Sequence, residues 1–224
     1  MIVLAIALLL AIFLLPNLWA QWVIKRHARG RDDYPGTGGE LADHLIRRLG
    51  LQGVAVEMTE QGDHYDPEAR RVRLSPDHYR GRSLTAVTVA AHEVGHAIQH
   101  HQGYAPLLAR SRLVGLAQKA EKLGALLMMA APFLFVLTRL PGGLAIVVAA
   151  AVISFGTAAL VHLVTLPVEF DASFQRALPL LKEYIPPRDL AGARHVLTAC
   201  AFTYVAASLA SILNLGRWLV ILRR

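Results

Sequence analysis

The sequence predicts a mainly α-helical membrane protein with several spans and a small α+β domain. Of its 224 residues, 54% are hydrophobic and only 17% are charged. The apolar residues collect in runs that are longer than a soluble core requires. Residues 71–75 instead alternate between apolar and polar side chains, which is typical of a short strand, and residues 54–58 look like another strand. We therefore expect a short β-hairpin between helical, membrane-crossing segments.

The first predicted element is a transmembrane anchor over residues 1–24, which carry no charged side chain. This run has about the length that a spanning helix needs, and it lacks the basic start of a cleaved signal peptide. Lys25, Arg26, Arg29 and Arg31 follow directly. Because positive clusters mark the cytoplasmic end of a span, the N-terminus is expected outside the cell and the next segment inside.

Residues 25–122 form the predicted cytoplasmic domain, and its strands come before its central helix. The strand over residues 71–75 has Val72 and Leu74 on one face. Its free edge could pair with an extended peptide, which is β-strand addition. The alternative is a plain two-stranded hairpin with no binding role.

The central helix is expected to begin after Ser83 and to contain the pattern His92-Glu93-x-x-His96. Because residues four apart share a helix face, His92 and His96 can bind one metal ion. Glu93 can then reach a water on that ion, which is the arrangement of zinc hydrolases. Apolar flanks favour a buried helix, whose polar side chains need partners. The alternative is two surface histidines on an ordinary helix.

Glu169 is the candidate for a third protein ligand, which a catalytic zinc site requires. It directly follows an apolar run, where a carboxylate is costly unless it has a partner. Asp171 is the alternative ligand, and a carboxylate that only begins the next helix is the structural alternative. His162, His195 and Tyr204 are further polar candidates, and their roles stay open.

Hydropathy predicts the remaining order of the chain. A transmembrane hairpin over residues 123–166 would return the chain to the cytoplasmic side. A cytoplasmic helical segment over 167–195, with the third zinc ligand, would follow it. Residues 196–216 are the predicted fourth transmembrane helix and 217–224 the tail. We expect a multi-pass protein of the inner (plasma) membrane with its site facing the cytoplasm.

Composition also narrows the expected partners. The net charge is +7, but no interleaved aromatic and basic pattern of a nucleic-acid-binding protein is present. The positive charge is therefore assigned to the flanks of membrane spans, with the lipid bilayer as a partner and no nucleic acid. Cys200 is the single cysteine, which rules out an internal disulfide bond.

Two stretches, HEVGHAIQ at residues 92–99 and LPVEFDAS at residues 166–173, carry a specific resemblance. They resemble the YugP-type bacterial membrane zinc metallopeptidases, known as the neutral zinc metallopeptidase family. Residues 62–67, 74–76 and 203–207 are similar as well. The resemblance therefore covers most of the chain between residues 60 and 207.

The resemblance implies a zincin-like domain that binds Zn²⁺ through His92, His96 and Glu169, with Glu93 as the catalytic acid and base. In better-known relatives an aspartate stands four residues after the ligand glutamate. This chain has Ser173 there and Asp171 two residues earlier, so the residue that supports the ligands stays open.

The function expected from these residues is a membrane-embedded zinc-dependent endopeptidase. It would hydrolyse peptide bonds of membrane or misfolded proteins by a metal-activated water, with Glu93 as general base. A non-catalytic membrane adaptor or scaffold stabilised by zinc is the alternative. Glu93 favours the enzyme, because a structural zinc site needs no base and closes its fourth position.

Overall fold

The computed structural model describes residues 2–138, 157, 161 and 164–203. The chain divides into two compact units. One consists of residues 1–14, 109–166 and 204–224, and the other of residues 15–108 and 167–203. The motif helix and Glu169 both belong to the second unit, which is therefore the one that matters for the candidate site.

The described elements follow one another with short connections. The helices and strands are α1 (Ile2–Arg26), α2 (Gly38–Arg48), β1 (Ala55–Met58), β2 (His64–Asp66), β3 (Arg71–Leu74), α3 (Pro76–Tyr79), α4 (Leu84–His101) and α5 (Ala105–Thr138). A long helix α6 covers residues 164–184, and its central part, Asp171–Ala177, is wound as a π-helix. After a 3₁₀ turn at Pro187–Asp189, helix α7 begins at residue 190 and is described through residue 203.

Helix α2 is a short amphipathic helix with a complete capping box. The Thr37 side chain accepts a hydrogen bond from the Glu40 backbone N–H, and the Glu40 carboxylate accepts one from the Thr37 N–H. These bonds satisfy two donors that the first helical turn leaves open. Ala42, Leu45 and Ile46 form its buried face, so α2 packs into the core of the unit.

The sheet has three strands in the order β1-β3-β2. β3 pairs in parallel with β1 and antiparallel with β2. The hairpin predicted between residues 54–58 and 71–75 is therefore wrong, because β1 and β3 are parallel. The antiparallel pair is formed by β2 and β3, and the sequence did not predict β2. Val72 and Leu74 are buried on one face, as the alternation predicts. Both edges of β3 are paired, so the expectation of a free edge on this strand is wrong.

Helix α4 lies at the centre of this unit. It begins after Ser83, whose side chain accepts a hydrogen bond from the Ala86 N–H at 3.1 Å. It is buried all round from Leu84 to Gln99. It ends before Gly103, which has a φ of +64° that glycine adopts without strain. The predicted start and end of the helix are confirmed.

The predicted multi-span membrane class is wrong. A spanning helix has to be about 20 residues long and apolar throughout. In the part of the chain that the structure describes, none of the helices is both long enough and apolar enough for this. The apolar run at residues 196–203 has another explanation, since Val196, Leu197 and Ala199 pack in the core of the second unit. The rest of that predicted span, and most of the hairpin predicted at 123–166, lie outside the described residues.

Candidate metal centre

Helix α4 brings two histidine side chains to one point, as the four-residue spacing predicts. His92 and His96 are 3% and 5% exposed. Their ring centroids are 4.8 Å apart, with an interplanar angle of 78°. The two imidazoles therefore meet edge to face, with one nitrogen of each ring directed at the same carboxylate.

That carboxylate belongs to Glu169 on α6, which is fully buried. Its Oε2 atom lies 3.2 Å from Nε2 of His92 and 3.2 Å from Nε2 of His96. Each of the three residues offers one ligand atom, and all three atoms lie within 4.8 Å of one another. Asp171 does not belong to this cluster.

Two imidazole nitrogens and one carboxylate oxygen are a donor set that fits zinc. Zinc accepts these ligands at about 2.0–2.2 Å in a tetrahedral arrangement, and catalytic sites use three of them with one position left for water. Ligand atoms of a common tetrahedral centre lie roughly 3–4 Å apart, which the two 3.2 Å distances satisfy. The described residues thus supply the protein part of a three-ligand zinc site.

Gly95 allows α6 to come close to α4. A Cβ atom at this position would lie only 2.6 Å from the carbonyl oxygen of Ala172 on α6. A glycine inside a helix costs about 1 kcal/mol relative to alanine, so its presence calls for a packing reason. Here the reason is the close approach of the backbone that carries Glu169.

The π-helical segment of α6 directs a second side chain at α4. Ser173 is fully buried, and its Oγ atom lies 3.0 Å from Nδ1 of His92. The same hydroxyl donates a hydrogen bond to the Leu197 carbonyl oxygen at 3.4 Å. Because its proton is used there, Ser173 accepts from the Nδ1–H of His92. The Nε2 atom of His92 then carries the lone pair that a metal ion needs. Such π-turns often occur at functional sites.

His96 has a different partner. Its Nδ1 atom lies 3.0 Å from the side-chain oxygen of Gln99, which is fully buried on the same helix. The Gln99 amide group also reaches Asp171, with 2.7 Å between Nε2 and Oδ2. Asp171 therefore does not contact His96 itself and is connected to this ligand through Gln99. Sequence reasoning missed Gln99, although a polar residue three positions after His96 shares its helix face.

The charge of the Glu169 carboxylate is stabilised by its neighbours. Burial alone would raise its pKa, but His96 and His92 outweigh this effect and hold the pKa of Glu169 well below its usual range. A carboxylate in this position is therefore ionised at neutral pH, as a metal ligand has to be.

Of the other predicted site residues, Glu93 and His195 belong to the described part of the chain. Glu93 is buried on α4, next to His92, with 6% of its surface exposed. Burial raises the pKa of the Cys200 thiol, and the charges of Glu93 and Glu169 raise it further. His195 is exposed and is not part of the cluster. His162 and Tyr204 lie outside the described residues.

Comparison with known proteins adds an independent finding. Residues 1–223 match the family described as "Putative neutral zinc metallopeptidase". A protein of Bacillus subtilis (strain 168) with the name "Putative membrane protease YugP" is 37% identical over 212 residues, which are 92% of this chain and 91% of that protein. No solved structure matches the chain.

Proposed function

The chain belongs to the neutral zinc metallopeptidase family, whose cofactor is zinc, and on this premise we propose that it is a zinc-dependent endopeptidase. The observation that carries the proposal is the convergence of His92 and His96 on one oxygen of Glu169, with all three side chains buried. This group would hold the ion, and its three ligands would leave the fourth position for water.

Bound zinc would supply the Lewis acidity that makes a water acidic and polarises a peptide carbonyl. Glu93 is the proposed general base, because it follows the first ligand histidine and is buried on the same helix. Its carboxylate would take a proton from the attacking water and then give it to the leaving amine nitrogen. His92, His96 and Glu169 would take no part in proton transfer, since each is committed to holding the ion.

A zinc-stabilised adaptor is the competing class, and the donor set argues against it. A structural zinc site closes all four positions with protein ligands, usually cysteines and histidines. The described residues supply three ligands here, one of them a carboxylate. Glu93 is buried on the helix that carries both histidines, and a structural zinc site needs no general base.

We also propose that the protein associates with the inner membrane and cleaves membrane or misfolded proteins on the cytoplasmic side. The relative from Bacillus subtilis carries the name of a membrane protease. The positive residues Lys25, Arg26 and Arg29 would favour the cytoplasmic leaflet, which carries anionic lipids. Arg31 is paired with Asp33 and Asp189. Flotation with vesicles that contain anionic lipids tests the association. Recovery of the purified protein only in the lipid-free fraction would contradict it.

The peptidase proposal is tested with Glu93→Gln, which keeps the shape of the side chain but cannot accept the proton. The variant should retain about one zinc per chain in elemental analysis, while hydrolysis of casein or a peptide falls by a factor of roughly 10² to 10⁴. Glu60→Gln is the matched control, because Glu60 is exposed. Unchanged turnover by the Glu93 variant would refute this mechanism.

A further inference from the structure

Gln99 makes three hydrogen bonds in the interior of the second unit, and together they fix the direction of its amide. Its oxygen faces Nδ1 of His96 at 3.0 Å. Its nitrogen lies 2.9 Å from the backbone oxygen of Val168 and 2.7 Å from Oδ2 of Asp171. A carbonyl and a carboxylate only accept hydrogen bonds. The NH₂ group therefore has to face α6, and the oxygen has to face His96.

The direction of this amide determines where His96 carries its proton. An amide oxygen is an acceptor, so Nδ1 of His96 donates to it. The Nε2 atom of the neutral ring then has its lone pair available for an ion held between this atom and the Glu169 carboxylate, whose Oε2 atom is 3.2 Å away. With the opposite amide direction, the NH₂ group would face Nδ1, and the proton would be held on Nε2, where it blocks metal binding.

Asp171 is itself held in place. The Arg176 Nε atom donates to the same Oδ2 atom of Asp171 at 3.1 Å. Arg176 also donates to the Gln102 side chain, and its guanidinium lies 5.8 Å from the centre of the Tyr104 ring. The arginine therefore joins the π-helical part of α6 to the end of α4 and keeps the Asp171 carboxylate against Gln99.

We propose that Gln99 is a positioning residue of the metal centre, oriented by Asp171 and Arg176, and that it holds His96 as the tautomer with a proton on Nδ1. This inference rests on the proposed function of the same site. It also assigns the roles of the two residues near Glu169, because Ser173 orients His92 directly, whereas Asp171 acts on His96 through Gln99.

The first test measures the zinc dissociation constant of the full-length protein by competition with a chelator. Gln99→Leu removes the acceptor at Nδ1, and loss of such support typically weakens metal binding by roughly 10- to 100-fold. The absorption spectrum of the Co²⁺-loaded variant should change as well, because the His96 ring is no longer held. Gln61→Leu is the control, since Gln61 is exposed. A wild-type zinc affinity and Co²⁺ spectrum in Gln99→Leu would overturn the proposal.

The second test exchanges the two side-chain groups. Gln99→Glu alone places two carboxylates at hydrogen-bond distance and should weaken zinc binding. Adding Asp171→Asn restores one donor and one acceptor between these positions, so the double variant should bind zinc about 10-fold tighter than Gln99→Glu alone. If the losses of zinc affinity in Gln99→Glu and Asp171→Asn simply add in the double variant, Asp171 does not orient Gln99. This result would overturn the proposal.

Further measurements distinguish a variant that does not fold from a wrong proposed function and from a wrong role of Gln99 and Asp171. Circular dichroism and thermal unfolding of the metal-free variants show whether each one folds. If Gln99→Leu does not fold, the single variant Asp171→Asn still tests the proposal. It is nearly isosteric and should weaken zinc binding several-fold, whereas the control Asp32→Asn, at an exposed position, should not. A wild-type protein that binds no zinc would refute the proposed function. Zinc binding that Asp171→Asn leaves unchanged would refute only the inference drawn here.

Discussion

The close contact between Gly95 and Ala172 predicts that one added methyl group at position 95 weakens zinc binding. The new Cβ atom would lie 2.6 Å from the carbonyl oxygen of Ala172 and 3.2 Å from its carbonyl carbon. An unstrained C···O contact is about 3.3 Å, so the two backbones have to separate by about 0.7 Å. The obstacle is main chain and not a flexible side chain, so no change of rotamer removes it.

Two effects on stability oppose each other in Gly95→Ala. Alanine gains up to about 1 kcal/mol in helix propensity, whereas overpacking in a close interface costs about 1–3 kcal/mol. We expect the free energy of unfolding of the metal-free protein to fall by roughly 0–2 kcal/mol. Zinc binding is more sensitive, because ligand distances tolerate only about ±0.2 Å. Glu169 precedes Ala172 by three residues on α6 and moves with it, so the zinc dissociation constant should rise roughly 10- to 100-fold.

The assay is chelator competition together with urea unfolding of the metal-free protein. Gly115→Ala is the matched control, because Gly115 lies inside α5 and no heavy atom is within 4 Å of its added Cβ. The control should bind zinc normally and be as stable as the wild type, or up to about 1 kcal/mol more stable. If Gly95→Ala behaves in the same way as this control, the explanation of Gly95 is wrong.

Further predictions concern the third ligand and the sheet. Glu169→Ala should lose most of its zinc in elemental analysis, and Asp171→Ala should retain more than Glu169→Ala; the reverse order would move the ligand to Asp171. Asp63 accepts from the Ser75 N–H at 2.8 Å and lies 2.7 Å from Nδ1 of His78. Burial would raise the pKa of Asp63, but these partners hold it below its usual value. Its stabilising contribution is therefore present above the unfolded pKa of about 3.9 and is lost as the pH falls through the lower folded value. Urea unfolding should show Asp63→Asn to be less stable than the wild type by about 1–3 kcal/mol at pH 7, with a smaller difference below pH 4; a gap that does not change with pH would contradict this.

The helix of the candidate site could be predicted from local patterns. The side chain of Ser83, the spacing of His92 and His96 and the glycine at position 103 all act within a few residues, and the structure has the helix where they indicate it. Glu169 was predicted to lie beside this helix for other reasons. A catalytic zinc site needs a third ligand, a carboxylate after an apolar run needs a partner, and the family resemblance implies this residue.

The contacts around the ligands could not be predicted in the same way. Ser173 and Asp171 are two residues apart, and a regular helix would direct them to different faces. The π-helical winding of residues 171–177 changes the directions of these two side chains, and no pattern in the sequence predicts this winding. The third strand was missed for a similar reason. β2 has only three residues, which is too short for an alternating pattern to be recognised in the sequence. It is a strand because it pairs with β3.

Hydropathy was wrong where apolar residues belong to a protein core, as at the beginning of the span predicted over residues 196–216. An apolar stretch has the same sequence pattern in a membrane-spanning helix and in a helix buried among other helices. The pattern alone therefore does not distinguish these two kinds of helix. In residues 196–199 the surroundings are other helices of the second unit.

The geometry of the candidate metal centre is set by the interface between α4 and α6. Gly95 sets the distance between the two backbones, Ser173 fixes one imidazole, and Gln99 fixes the other while its amide group bonds to Val168 on α6. Each of these contacts connects the helix with two ligands to the helix with the third. An ion bound by all three ligands would therefore hold the same interface together, because it would bind the folded arrangement and not the separated helices. Zinc should accordingly raise the unfolding temperature of the wild type by more than that of Gly95→Ala at equal concentration, and an equal increase in both proteins would show that ligand geometry does not depend on this contact.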